Sequence, residues 1–166
     1  MNNSFLIYKK LLESGVKNVF GYSGGAIMPL MDQFHKSKNK KINLIINSHE
    51  QNCGHAATGY AKSTNKTGVC IVTSGPGLTN MVTPMLDATN DSTPLIVFSG
   101  QVPLNVMGTQ SFQEAPSTEI TKAFTKWSYC VKDVNEFQNM APMKKLLFVG
   151  NLPLPKYERF MLIGYK

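Results

Sequence analysis

Four short apolar runs decide what kind of sheet this chain can build. They are Asn18-Val19-Phe20-Gly21, Ile42 to Ile46, Val69-Cys70-Ile71-Val72 and Pro94-Leu95-Ile96-Val97-Phe98. None shows a sustained apolar–polar alternation, so each is expected to be buried on both faces, as strands of a parallel sheet are. The segments between them carry helical spacing instead. Phe5, Tyr8 and Leu12 form one stripe, with Gly15 as its C-terminal stop. Ile27, Leu30, Met31 and Phe34 fall at i, i+3, i+4 and i+7. Cys53, Ala56, Ala57 and Tyr60 mark a third helix, and Leu78, Met81, Val82 and Met85 a fourth. Ser117 is placed to cap a helix through Ile120, Ala123 and Phe124, ahead of a last strand near Trp127 to Val131. The expected fold is therefore α/β, a parallel sheet with helices on both faces.

A chain of 166 residues, 42% hydrophobic and 16% charged, can bury one substantial core. Residues 1–138 read as that domain. Residues 139–166 lose the helix–strand rhythm and hold three prolines after Ala141. This tail reads as a divergent or frame-shifted end, in preference to a truncation product or a connector. No run of about 18 apolar residues is present, so no membrane span is expected. The start, Met1 to Phe5, lacks the basic block and apolar stretch of a secretory signal. The expected location is intracellular, in cytoplasm or, after loss of a transit peptide, in an organelle stroma or matrix.

The formal charge of +7 raises the question of nucleic acid. The lysines are dispersed or lie in one short run, Lys36, Lys38, Lys40 and Lys41, between a helix and a strand. That run reads as a solvated loop, and no nucleic-acid partner is expected. Cys53, Cys70 and Cys130 are too far apart for a zinc knuckle and odd in number, so reduced, mostly buried thiols are expected.

Ligands of parallel α/β sheets gather beyond the C-terminal strand ends, which directs attention to the loops starting at Gly21, Asn47, Ser74 and Gly100. In the second, Glu50 stands where a strand meets a helix. There it is either a functional carboxylate or an acid that merely complements the helix dipole. His49-Glu50 resembles the start of a zinc-protease motif, but His55 is six residues from His49 where one helical face needs four. Both histidines are expected to be structural. Gly21-Tyr22-Ser23-Gly24-Gly25-Ala26 follows a strand and opens a helix, yet matches neither a dinucleotide fingerprint nor a P-loop. It and Gly75-Pro76-Gly77 are either tight turns or places where backbone approaches a flat ring. Gly100 to Glu114 forms a long polar loop containing Phe112.

In combination and in this order the motifs are specific. Val19 to Ala26, His49 to Ala61, Val72 to Asn80 and Gly100 to Glu114, within a stretch from Gly15 to about Asp133, resemble the N-terminal, pyrimidine-recognising domain of acetolactate synthase catalytic subunits. The first three motif types are shared among thiamine-diphosphate enzymes, and the fourth points to acetolactate synthase. The resemblance implies that Glu50 hydrogen-bonds the cofactor's aminopyrimidine ring and promotes loss of the thiazolium C2 proton. It implies that Gly25, Gly75, Pro76 and Asn80 bind the cofactor, and that Phe112 and Gln113 approach the thiazolium and the second substrate. Ala26, Pro103 and Ser111 match the mouth of the substrate channel. Two positions depart from the family pattern, Ser23 (commonly proline) and Ser111 (commonly alanine).

By the same resemblance, a complete enzyme decarboxylates pyruvate and joins the fragment to pyruvate or 2-oxobutyrate, for branched-chain amino-acid synthesis. It works as a dimer or tetramer and carries Mg2+ and a non-redox FAD. The Gly-Asp-Gly that marks the Mg2+-diphosphate domain does not occur in this sequence. The chain is therefore expected to hold part of a thiamine-diphosphate site and no metal site. Its partner would be a second copy or a diphosphate-binding domain or subunit, and by itself it would make no acetolactate. A split enzyme and a non-catalytic module that keeps the fold are the alternatives.

Overall fold

The computed structural model describes residues 3–36, 41–132 and 162–163. Strands β1 (Asn18–Gly21), β2 (Asn43–Ile46), β3 (Gly68–Val72), β4 (Leu95–Ser99) and the two-residue β5 (Leu162–Ile163) pair in the order β2-β1-β3-β4-β5, all in parallel. Helices α1 (Asn3–Glu13) and α2 (Met28–Lys36) cover one face. Helices α3 (Glu50–Thr64), α4 (Pro76–Thr79) and α5 (Val82–Asn90) cover the other. A 3-10 turn (Leu104–Val106) and α6 (Ser117–Lys122) follow β4. The parallel α/β expectation holds. The expected division at residues 138 and 139 lies outside the described residues.

The core explains the apolar runs. Every residue of β3 and β4 is buried. Val69 and Ile71 pack with Leu11, Leu30 and Phe34 on one side of the sheet, whereas Cys70 and Val72 meet Ala57, Leu78 and Met81 on the other. Each fully buried aliphatic side chain contributes about 1.5–3 kcal/mol by leaving water, and β-branched residues keep more freedom in a strand than in a helix. β1 lies between β2 and β3, so the chain turns in opposite directions from neighbouring strands, and the crevice opens beyond their C-terminal ends.

Several expectations need correction. β2 is an edge strand, not a buried one. Of the expected run Ile42 to Ile46, Ile42 is buried in the core and Leu44 packs against it, while Ile45 and Ile46 are 37% and 54% exposed. An apolar run does not reveal that it has one neighbour instead of two. In α1 the buried face is Leu6, Ile7, Tyr8 and Leu11, and Phe5 is exposed, so the stripe is rotated by about a residue. The expected fourth helix is two. α4 ends at Thr79 with Asn80 as its C-cap, and α5 begins after Met81, because Pro84 has no N–H to bond the Asn80 carbonyl. Ser117 does not cap α6. It is the first helical residue, and its hydroxyl donates to the Ala115 carbonyl. Ala123 is exposed beyond that helix. Trp127 to Val131 is not a strand. Only Cys130 makes an isolated bridge, and Trp127 stacks on Tyr129 at 5.5 Å beside the first core cluster.

Lys36 and Lys41 are exposed, and Lys38 and Lys40 lie outside the described residues. Cys53 and Cys70 are buried and Cys130 is half-buried. Desolvation pushes the Cys53 thiol up to about 11, against the smaller opposing effect of the Asn47 backbone, and burial pushes Cys70 well above its ordinary range. Alkylation of the native chain at pH 8 is expected to label Cys130 first, with Cys53 and Cys70 reacting only on unfolding. A folded thiol near 11 and an unfolded one near 9.0 give stability that falls as pH rises from 9.0 through 11. A Cys53→Ala chain with an equally steep loss in urea melts across that range would contradict this cause.

Candidate functional site

The site is assembled by the loops beyond β1 to β4, and it starts with the end of β2. His49 adopts extended backbone and its Nδ1 accepts the Gln51 N–H at 3.2 Å, which caps α3. That cap makes Glu50 the first helical residue and turns its side chain inward, where it is only 7% exposed. Asn80, the residue closing α4, donates from Nδ2 to Glu50 Oε2 at 3.0 Å. Glu50 Oε1 lies on the side of Gly77, 3.5 Å from where a Cβ would stand there.

The turn after β3 is shaped by contact. Gly75 has φ +54° and ψ −112°, a conformation side-chain-bearing residues avoid, and a Cβ there would strike the Gln113 carbonyl. Thr73 is clasped between two other glycines, since a Cβ at Gly24 would fall 2.6 Å from its Oγ1 and one at Gly77 2.8 Å from its Cγ2. At the start of the loop after β4, a Cβ on Gly100 would fall 2.6 Å from that of Ala26. The loops after β1, β3 and β4 are thus in van der Waals contact with one another, and Glu50 joins them through Asn80 and Gly77.

The long loop after β4 is closed on itself. Gln101 Oε1 accepts the Val102 N–H at 2.9 Å, and its Nε2 reaches the Ala115 carbonyl and the Ser117 hydroxyl, each at 3.5 Å. Glu114 accepts from the Gly108 and Ser111 amides and from the Ser111 hydroxyl. One of the two departures from the family pattern, Ser111, therefore has a definite hydrogen-bond partner.

Of the residues singled out from sequence, Glu50, Asn80, Gly75 and Gln113 form one contiguous group, and Ala26 joins its edge through Gly100. Pro76 is exposed as the first residue of α4. Gly25 is exposed, and a Cβ added to it would enter open space. Pro103 is exposed just before the 3-10 turn, and Phe112 is 90% exposed, so it touches little of the described chain. His55 is a surface residue 3.8 Å from Asp87. Among the described residues no group of three His, Cys, Asp or Glu could hold a metal ion.

Three residues escaped sequence reading. Thr73 is 5% exposed and its Oγ1 has no partner among the described residues. Nothing in a threonine at a strand end signals that. Gln101 joins the two ends of its loop, again without a local signal. Glu114 had one, because Ser111-Phe112-Gln113-Glu114 has the S-x-x-E spacing of a capping box.

Comparison with known proteins decides the family. Residues 1–121 match the model described as "Thiamine pyrophosphate enzyme, N-terminal TPP binding domain". The chain belongs to this family. It is similar to the acetolactate synthase catalytic subunit of Saccharomyces cerevisiae, 52% identical over 121 residues, 73% of this chain and 17% of the relative. The acetolactate synthase large subunits of Corynebacterium glutamicum and Lactococcus lactis are 44% identical over 151 residues and 48% over 133. Those alignments take in 90% and 80% of this chain, and 24% and 23% of the relatives. The chain therefore spans less than a quarter of the length of these curated relatives, as an N-terminal domain of the acetolactate synthase type.

Proposed function

We propose that this domain holds the aminopyrimidine half of thiamine diphosphate, with the Glu50 carboxyl as its proton-handling group. The observation that carries the reading is the buried Glu50 carboxylate, bound on Oε2 by Asn80 and facing Gly77 with Oε1. The surroundings fit a flat heterocycle with polar edges. Thr73 supplies a buried hydroxyl without a partner among the described residues, and Gly25 leaves open space on the loop after β1. When bound, thiamine diphosphate supplies a nucleophilic carbon that no side chain offers. The protein's own part is to orient and exchange protons. Asn80 holds the carboxylate in one rotamer, burial keeps competing water away, and Glu50 Oε1 gives or takes a proton at a ring nitrogen.

On this reading the domain serves an acetolactate synthase that decarboxylates pyruvate and condenses the fragment with pyruvate or 2-oxobutyrate, in branched-chain amino-acid synthesis. Phe112 and Gln113 would face the reacting centre, and Ala26, Pro103 and Ser111 the channel to it. The 90% exposure of Phe112 favours a partner surface opposite it, from a second copy or a diphosphate-binding domain or subunit. Mg2+ and FAD would be held by residues other than those described. No described helix is long and apolar enough to cross a membrane. The names of the yeast and other fungal relatives say mitochondrial, which supports an organelle matrix for this chain.

Calorimetric titration with thiamine diphosphate tests the reading. Glu50→Gln is expected to weaken binding about tenfold or more, since a hydrogen bond to a charged group is worth about 1.5–3 kcal/mol. Gly25→Ala is expected to weaken binding while leaving the urea midpoint unchanged, because its Cβ meets no protein atom within 4 Å. Equal affinities for wild type and both variants would sink the proposal.

A further inference from the structure

We propose that Glu114 is a positioning residue that sets the shape of the Gly108–Gln113 loop and thereby holds Phe112 and Gln113 at the site. The proposal rests on the reading that Phe112 and Gln113 face the reacting centre.

The loop has an expensive backbone. Gly108, Gln110 and Gln113 have φ of +86°, +59° and +58°. Two non-glycine residues in the left-handed region within four positions persist only where the surroundings hold them there. Side-chain packing is not what holds the tip, since Phe112 between them is 90% exposed. The Glu114 carboxylate is placed to do so. Oε1 accepts the Gly108 N–H, and Oε2 accepts the Ser111 N–H at 3.1 Å and the Ser111 hydroxyl at 3.3 Å. The Glu114 N–H returns a bond to the Ser111 carbonyl at 2.9 Å.

This is one half of a capping box, the carboxylate on the Ser111 N–H, because the Glu114 N–H bonds the Ser111 carbonyl and not its hydroxyl; no helix follows, since Gln113 is left-handed and α6 begins only at Ser117. The bonds therefore fix a loop and not a helix start. The Gly108 amide holds the carboxyl below its usual range, desolvation opposes it as the next largest effect, and the Ser111 and Gln110 groups add to the lowering, so it is charged at neutral pH. With the loop so fixed, the Gln113 carbonyl rests on Gly75 and Phe112 is turned outward.

The test uses the 15N-labelled chain, observed by NMR with and without thiamine diphosphate and Mg2+. In Glu114→Ala, amide exchange at Gly108 and Ser111 is expected to rise about tenfold, with the remaining core amides unchanged. Glu114→Gln, which keeps one acceptor oxygen, is expected to lie between and to remain folded if the alanine variant does not. Thiamine diphosphate is expected to shift the Asn80 side-chain amide and the Gln113 backbone amide in the wild type, and only Asn80 in Glu114→Ala. A purely structural contribution would move both signals or neither. Unchanged exchange at Gly108 and Ser111 in both variants, or a Gln113 shift of wild-type size, overturns the proposal. A wild-type chain whose Asn80 does not respond overturns the cofactor reading and with it the positioning role, while the exchange rates still decide whether Glu114 clamps the loop.

Discussion

Gly75→Ala is expected to destabilise the domain by about 2–6 kcal/mol, the sum of backbone strain and forced overpacking. Its φ of +54° with ψ −112° lies outside the regions open to alanine. The new methyl would also collide with the Gln113 carbonyl, a backbone group that cannot rotate away as a side chain could. A domain with about 5–15 kcal/mol of total stability would be left marginal. The damage falls in two places at once, because this contact joins the turn after β3 to the loop after β4. Urea denaturation measures the stability, and the Gln113 amide signal reports whether the loop has been displaced. A loss below about 1 kcal/mol would show that the turn relaxes freely, and that Gly75 is not needed for its shape. Gly25→Ala is the internal comparison, a glycine in the same set of loops whose replacement meets nothing.

Leu78→Ala is expected to cost about 2–5 kcal/mol, the range for truncating a fully buried leucine. Leu78 is 0% exposed and packs with Val72, Met81 and Met85 beneath the short helix α4. That helix has four residues and no side-chain cap, so it owes its existence to this anchor more than to its own hydrogen bonds. It also carries Pro76 and Gly77 and is capped at its C-terminus by Asn80, the partner of Glu50. Truncation is therefore expected to weaken thiamine diphosphate binding as well as stability. Thermal unfolding should fall by about 2–4 °C for each kcal/mol lost. Leu78→Met, nearly equal in volume, should lose under about 1.5 kcal/mol. If the alanine variant bound the cofactor as tightly as wild type, α4 would not be what holds Asn80 against Glu50.

The parallel sheet was legible because Val69 to Val72 and Leu95 to Phe98 are apolar without alternation, and burial on both faces leaves that trace in any sequence. The loops were legible because strand ends are where glycines and a lone carboxylate stand out. What the local pattern could not carry was position within the sheet. Ile45 and Ile46 have the composition of a central strand and the exposure of an edge, since a neighbouring strand is a long-range fact. The break between α4 and α5 was readable from Pro84 and was missed, because Leu78, Met81 and Met85 keep helical spacing across it.

By itself, then, the amino-acid order determined the layers, the family motifs and Glu50 as the residue to examine. Only the tertiary structure decided which atoms meet there. Asn80 reaches Glu50 across thirty positions of chain, Gln113 rests on Gly75, and Thr73 is left between two glycines with a hydroxyl that no described residue pairs. Periodicity is a property of neighbouring residues and survives in one dimension. A hydrogen bond or a steric contact between distant loops depends on where the packed sheet delivers their ends, and that is settled only when the core has closed.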